Sequence, residues 1–276
     1  MLCWSAEHSA RIRFAMAAST PTLSTSCGVA LVTGAGRRIG RAIAMALGRD
    51  GWRVGVHYGT SDAEAREVVA AIEAGGGQAV AVQADLADRV ATEGLIGHCA
   101  RALGPVTCLV NSASIFLDDR IETLDPATWD LQQAVNLRAP VLLSKAMAAA
   151  LPAGAAGNIV NIVDQRVWRL TPQYFSYTAT KAGLWAVTQT LAQALAPRIR
   201  VNAVGPGPVL KSIHQSDAEF AAEARATILG RATNPEEIAT AVRFILDAPS
   251  MTGQMIALDG GQHLAWETPD VTLKRP

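Results

Sequence analysis

From Val29 onward, short runs of apolar, largely β-branched residues alternate with longer stretches whose apolar positions recur every three or four residues. The first pattern is that of buried strands and the second that of helices, and their regular alternation is what parallel βαβ units produce. The pattern predicts strands near 29–33, 53–58, 79–83, 106–111, 158–163, 199–204 and 254–258, with helices near 38–49, 62–74, 88–103, 126–150, 174–196, 217–228 and 235–247. Runs such as "NIVNIV" at 158–163 are apolar almost throughout, which requires cover on both faces of the sheet. Right-handed crossovers then give a single doubly wound α/β domain, a seven-stranded parallel sheet with helices on both faces, whose ligand lies beyond the carboxyl ends of the strands. Between Pro206 and Ala218 the pattern lapses into "PGPVLKSIHQSDA", a connection suited to a lid or to a plain surface loop. With no composition break after residue 28, the domain is expected over 28–262, with a tail at 263–276. Residues 1–27 read as a disordered extension, or as the product of a start assigned upstream of Met16.

Composition narrows the partners. Half of the 276 residues are apolar, enough for a sizeable core, and the 24 basic residues balance the 24 acidic ones. No global field draws such a chain to nucleic acid, and no basic run interleaved with aromatics appears. No apolar stretch is long enough to span a membrane. The expected partners are small molecules and copies of the chain itself. Residues 1–27 carry Arg11, Arg13 and Glu7 but no apolar block of the kind a secretory signal needs. Cys3, Cys27, Cys99 and Cys108 share neither metal-ligand nor CxxC spacing, so reduced thiols, no metal and a cytoplasmic setting are expected.

The first chemical signal is "LVTGAGRRIGRAI" at 31–43, a glycine-rich turn leaving the first strand and opening the first helix, as in a Rossmann-type dinucleotide fold. Here Thr33 ends the strand, Gly34 permits the sharp turn, Gly36 lets backbone approach a pyrophosphate, and Ile39 and Gly40 open a helix whose free N–H groups face the anion. An acid about 20 residues on selects NAD by binding the ribose, but "VGVHYGTS" at 54–61 contains none. Arg37, Arg38, His57, Tyr58, Thr60 and Ser61 are instead the groups expected around a 2′-phosphate, which predicts NADP(H). Asp85 in "VQADL" suits an adenine amino group or a helix cap, and Asn111 in "LVNSAS" suits backbone or cofactor.

The second signal is "YTATK". Tyr177 and Lys181 stand four apart in a helical segment, so both emerge on one face, where an ammonium lowers the phenol pKa and makes it a usable acid. At this point the chain resembles the short-chain dehydrogenase/reductase family over residues 28–262. The motifs that carry the likeness are TGAGRRIG at 33–40, Asp85, NSAS at 111–114, Asn136 in "AVNL", Tyr177 with Lys181, "VNAVGPGP" at 201–208 and "TGQMIALDGG" at 252–261. The resemblance implies hydride transfer from nicotinamide C4, with Tyr177 donating a proton, Lys181 orienting the ribose and Asn136 supporting a water relay. Leu86, Ser112, Ala113, Pro206 and Gly207 would border the cofactor, and a homotetramer is implied.

The family usually carries Ser thirteen positions before the Tyr, and in this sequence that position is Asp164. A carboxylate beside a phenol opposes its ionisation and repels an oxyanion, which suits a C=N bond with N–H donors better than a carbonyl. In this respect the chain resembles pteridine reductases and dihydromonapterin reductases. Arg38 stands where most relatives have glycine, Ser114 and Phe116 match a pterin-contacting serine and a stacking phenylalanine, and Tyr174 precedes Tyr177 by three. Thr60 and Pro208-Val209 depart from the branch, which often has arginine and a polar residue there. Three readings follow: an NADPH-dependent reductase of a dihydropterin, with Phe116 stacked on the ring; a ketoreductase of a 3-oxoacyl or other carbonyl substrate; and a non-catalytic dinucleotide-binding protein.

Overall fold

The computed structural model describes residues 27–212 and 215–266; the expected N-terminal extension and all but the first residues of the C-terminal tail lie outside them. Seven strands are present: β1 (Val29–Val32), β2 (Arg53–Tyr58), β3 (Gln78–Gln83), β4 (Val106–Asn111), β5 (Gly157–Ile162), β6 (Ile199–Pro206) and β7 (Met255–Leu258). They form one sheet in the order β3-β2-β1-β4-β5-β6-β7, with every pairing parallel. Consecutive residues of β1 point to opposite faces. Ala30 and Val32 join a core built with α1 (Arg38–Arg49), α2 (Asp62–Ala74) and α8 (Pro235–Asp247), while Val29 and Leu31 join one built with α3 (Arg89–Leu103), α5 (Ala139–Ala150) and α6 (Phe175–Leu195). Both faces are therefore covered, as the unbroken apolar runs require.

Helix starts follow local chemistry. Asp88 caps α3 by accepting from the N–H groups of Val90 and Ala91, and Asn234, Pro235 and Glu237 form a capping box at α8. Ser216 and Glu219 do the same for α7 (Asp217–Arg225).

The 126–150 segment departs from the single helix expected. It divides into α4 (Pro126–Gln133), a π-helical turn over Ala134–Arg138, and α5. Pro140 has no N–H to offer the carbonyl of Asn136, and the N–H of Ala139 bonds back to the Ala134 carbonyl, five residues earlier. The widened turn holds Asn136. A second irregularity opens α6: Tyr174 is left-handed at φ 54°, held there because Phe175 N–H donates to the Asp119 carbonyl and Ser176 N–H to the Asp119 carboxylate at 3.0 Å. Such backbone costs about 1–2 kcal/mol in a non-glycine residue.

The chain order reverses between β1 and β4, and there the loops after neighbouring strands diverge and open a crevice. Among the described residues, no helix is long and apolar enough to cross a membrane.

Candidate active site

A cleft of about 1010 Å³ occupies this crevice, running from the β1–α1 turn to the start of α6. Gly34 sits at φ 63° with the position of a Cβ only 2.9 Å from Ala113 Cα, and a Cβ on Gly40 would lie 2.2 Å from the Gly34 carbonyl oxygen. Neither position accepts a side chain. Gly40→Ala is expected to lower stability by about 1–3 kcal/mol and to weaken nucleotide binding, as checked by urea unfolding and titration.

Gly34, Arg37, Arg38, Ile39 and Gly40 line the cleft as expected, and so do Thr60, Ser61, Asp85, Leu86, Ser112 and Ala113. Thr33, Gly36, Tyr58 and Asn111 are not among the lining residues and have partners elsewhere, while His57 lines the cleft in a different role from the one expected. A Cβ on Gly36 would face Ala65 N at 3.2 Å and Ser61 Oγ at 3.3 Å, so this glycine lets the turn pack closely on the start of α2. Thr33 is buried, and its Oγ1 accepts from Ser112 N–H at 2.9 Å and Ala113 N–H at 3.0 Å, tying β1 to the segment after β4. Asn111 donates to Asn161 Oδ1 at 2.8 Å, and Asn161 donates to Thr188 at 2.9 Å, a buried chain joining β4, β5 and α6. Tyr58 packs beside the core, its hydroxyl bonded to Asp62. His57 accepts from Gly34 N–H at 3.1 Å through Nδ1, which leaves Nε2, 3.1 Å from the Ala84 carbonyl, as the donor to that oxygen. Burial lowers its pKa to about 4, so it is a neutral strut beneath the cradle and no anion receptor.

The two arginines of the cradle also carry partners. Arg37 pairs with Glu64 at 2.6 Å, an exposed contact of little energetic weight that an incoming phosphate can replace. Arg38 is left-handed at φ 52° and donates to the Leu210 and Lys211 carbonyls at 2.9 Å each. It therefore fastens the cradle to the connection after β6, where sequence alone suggests a substrate contact. Asp85 accepts from Ala87 N–H at 2.8 Å and stays exposed at the rim.

At the far end of the cleft, β5 and α6 set Asp164 against Tyr177. The phenol donates to Asp164 Oδ2 at 3.0 Å, and Oδ1 accepts from Arg166 N–H at 2.7 Å. Burial raises the Asp164 pKa, with its hydrogen bonds and nearby cations acting against it. Burial and then the Asp164 carboxylate push the Tyr177 phenol well above its usual range, the reverse of the depression predicted from the Lys181 spacing. Lys181 lies under the site, donating to the Ile162 carbonyl at 2.8 Å with Nζ 5.5 Å from the Tyr177 ring centre, and burial lowers its pKa to about 8. Phe116 stacks on Tyr174 at 4.2 Å and meets Tyr177 edge-on at 4.7 Å, an aromatic wall beside the acid pair.

Asn136 is held by its side chain. Its Oδ1 accepts from Ile115 N–H at 2.8 Å and Ser114 Oγ at 3.1 Å, while Nδ2 donates to the Ile115 carbonyl at 2.8 Å and Thr180 at 3.3 Å. The engaged amide clamps the Ser114–Phe116 segment to α6, and a water relay would use the Asn136 main-chain carbonyl, to which Pro140 offers no N–H. Pro206 and Gly207 line the cleft, and Gly207 approaches Asp259 so closely that a Cβ would stand 2.7 Å from its Cα. Sequence reasoning missed Gln165 and Arg166, which follow Asp164 and also line the cleft. Their signal was an amide and a cation directly after an acid at a strand end.

Residues 34–263 match the family model described as enoyl-(acyl carrier protein) reductase, most of the chain and all of the cleft. The chain belongs to the short-chain dehydrogenase/reductase family. It is an oxidoreductase. Among solved structures of this family it is similar to the FolM alternative dihydrofolate reductase 1 of Brucella suis in complex with NADP, with 48% identity, a TM-score of 0.87, and cover of 90% of this chain and 99% of that one. Among curated short-chain reductases, the 3-oxoacyl-[acyl-carrier-protein] reductase of a Synechocystis strain is 36% identical over 238 residues, 84% of this chain and 96% of that protein. An oxidoreductase of Methylorubrum extorquens is 39% identical over 242 residues, 84% and 96% of the two chains.

Proposed function

We propose that this short-chain reductase transfers hydride from NADPH to the C=N bond of a pterin-like substrate, taking a dihydropterin to its tetrahydro form. The observation that carries the reading is the buried pair of Asp164 and Tyr177, 3.0 Å apart, beside the Phe116–Tyr174 wall. Two acids in contact supply a proton to nitrogen and accept hydrogen bonds from ring N–H groups, whereas a carbonyl turning into an oxyanion would meet a repelling oxygen. Similarity to an alternative dihydrofolate reductase supports the same choice.

The cofactor is NADP(H), which supplies the hydride when bound. The cradle of Gly34 and Gly40, the rim residues Arg37, Thr60 and Ser61, and Lys181 at the inner end would hold it, and the cleft is long enough to take cofactor and substrate together. NADPH is expected to bind at least about tenfold tighter than NADH, one charge-assisted hydrogen bond's worth, in a fluorescence titration at low salt.

The deciding experiment follows NADPH oxidation with dihydrobiopterin, dihydromonapterin and dihydrofolate beside simple ketones and a 3-oxoacyl thioester. Turnover of pteridines over ketones is the expected result. Brisk ketone reduction with every pteridine ignored would favour the second reading, a 3-oxoacyl-type ketoreductase, which the matched family model and the Synechocystis relative support. A dinucleotide-binding protein without catalysis would bind NADPH but oxidise it with none of these compounds. A homotetramer in the cytoplasm belongs to the same proposal. Trp168, Leu170, Leu229, Phe244, Leu264 and Trp266 are exposed apolar side chains that a second copy would cover, and light scattering at micromolar concentration reads the mass.

A further inference from the structure

The substrate end of the cleft holds a cation that the acid pair does not explain. Arg166 is half-buried there, its guanidinium 5.3 Å from the Tyr174 ring centre and hydrogen-bonded to Thr171 Oγ1. Its Nε is buried without an acceptor, and no carboxylate within ion-pair distance of this side chain is found among the described residues. Asp164, the acid nearest in sequence, places its hydrogen bonds on the Arg166 main-chain N–H and on Tyr177, so it acts on the guanidinium as a nearby charge without a direct bond.

The arrangement is directional. Phe116, Tyr174 and Arg166 form a stack, ring on ring and then guanidinium on ring, leading from the acid pair along the wall of the cleft. Arg166 thus stands beyond Tyr174 on the wall of the same cleft that holds the acid pair. A half-buried guanidinium with an unsatisfied Nε donor gains from an anion, and its planar fork matches a carboxylate. Arg120, Asp118 and Glu223 also line the cleft, and Asp118, Glu223 and Glu219 are the acids that act on Tyr174, the ring under the guanidinium. Glu223 is engaged by the side-chain amides of Gln215 at 2.7 Å and Gln262 at 3.5 Å.

We infer that Arg166 is a specificity-determining residue that holds a carboxylate on the substrate's side chain, so the site favours a pterin bearing an acidic tail over one with a neutral side chain. The inference rests on the pterin reading above. Its test compares kcat/KM for dihydrofolate, which carries carboxylates, with that for dihydrobiopterin, which does not, in wild type, Arg166→Gln and Arg166→Lys. The ratio of the two is expected to fall about 10- to 100-fold in Arg166→Gln, mainly through KM for dihydrofolate. Arg166→Lys should recover part of it, and raised salt should lower the wild-type ratio. An unchanged ratio in Arg166→Gln overturns the assignment. If neither pteridine is reduced, the pterin reading falls, and p-aminobenzoyl-glutamate becomes the probe, titrated calorimetrically into NADPH-loaded protein. Binding that weakens at least tenfold in Arg166→Gln then upholds the carboxylate site, while binding absent or indifferent to the substitution removes it.

Discussion

Replacing Tyr177 with Phe should lower kcat by about 10²- to 10⁴-fold, the range for losing one positioned general acid, while a titration still finds NADPH bound. The phenol is buried and its proton is aimed at Asp164, and the neighbouring Ser114 hydroxyl is far too weak an acid to replace it. Burial and Asp164 hold the Tyr177 pKa well above the usual range, which keeps the proton on oxygen throughout the working pH range and makes its release dependent on the neighbouring cations. Arg166 is the cation that lowers it, and Lys181, 5.5 Å from the ring centre, is the cation whose charge changes within the working pH range. As pH rises through about 8 it loses its charge, and the rate should decline with it.

Stability should move in the opposite direction over part of that range. The Lys181 amine, lowered to about 8 by burial, is neutral in the folded protein between pH 8 and the ordinary lysine value of 10.5 but protonated in the unfolded chain. The unfolded state binds the extra proton there, so this group's contribution favours folding more as pH climbs from 8 to 10.5. Opposite pH trends in rate and in urea midpoint for the cofactor-free protein would be the signature, and parallel trends would count against Lys181 as the titrating group.

Asp164→Ser carries the second large effect, a loss of about 10²-fold or more in pteridine turnover, with ketone reduction retained or improved. Serine removes the acid that supplies nitrogen with a proton and accepts ring N–H bonds, and it relieves the repulsion that a developing oxyanion would meet beside Tyr177. The two substrates must therefore diverge. Equal losses on both would mean that Asp164 acts only by holding the turn through Arg166 N–H.

The strands and helices were legible because each is a local pattern, set by two- and 3.6-residue periods and by caps such as Asp88 and Asn234. The glycine turn and the Tyr177–Lys181 spacing were legible for the same reason. The π-turn was not read, although Pro140 inside the 126–150 run was its local signal. Most errors fell on polar side chains whose partners lie far along the chain. Thr33 bonds to Ser112 across 79 positions, Asn111 to Asn161 across 50, and Arg38 to Leu210 across 172.

By itself, then, the chain of residues determined the parallel sheet, the cradle at 34–40 and an acid thirteen places before the reactive phenol, because periodicity, turn conformation and helical spacing act between near neighbours. Only the tertiary structure decided that His57 is a neutral strut, that Asn136 is a clamp, that Tyr177 is harder to ionise than its lysine suggests, and that Arg166 makes no direct ion pair among the described residues. Those properties depend on desolvation and on hydrogen-bond partners brought together from separate elements, and both exist only once the strands have assembled.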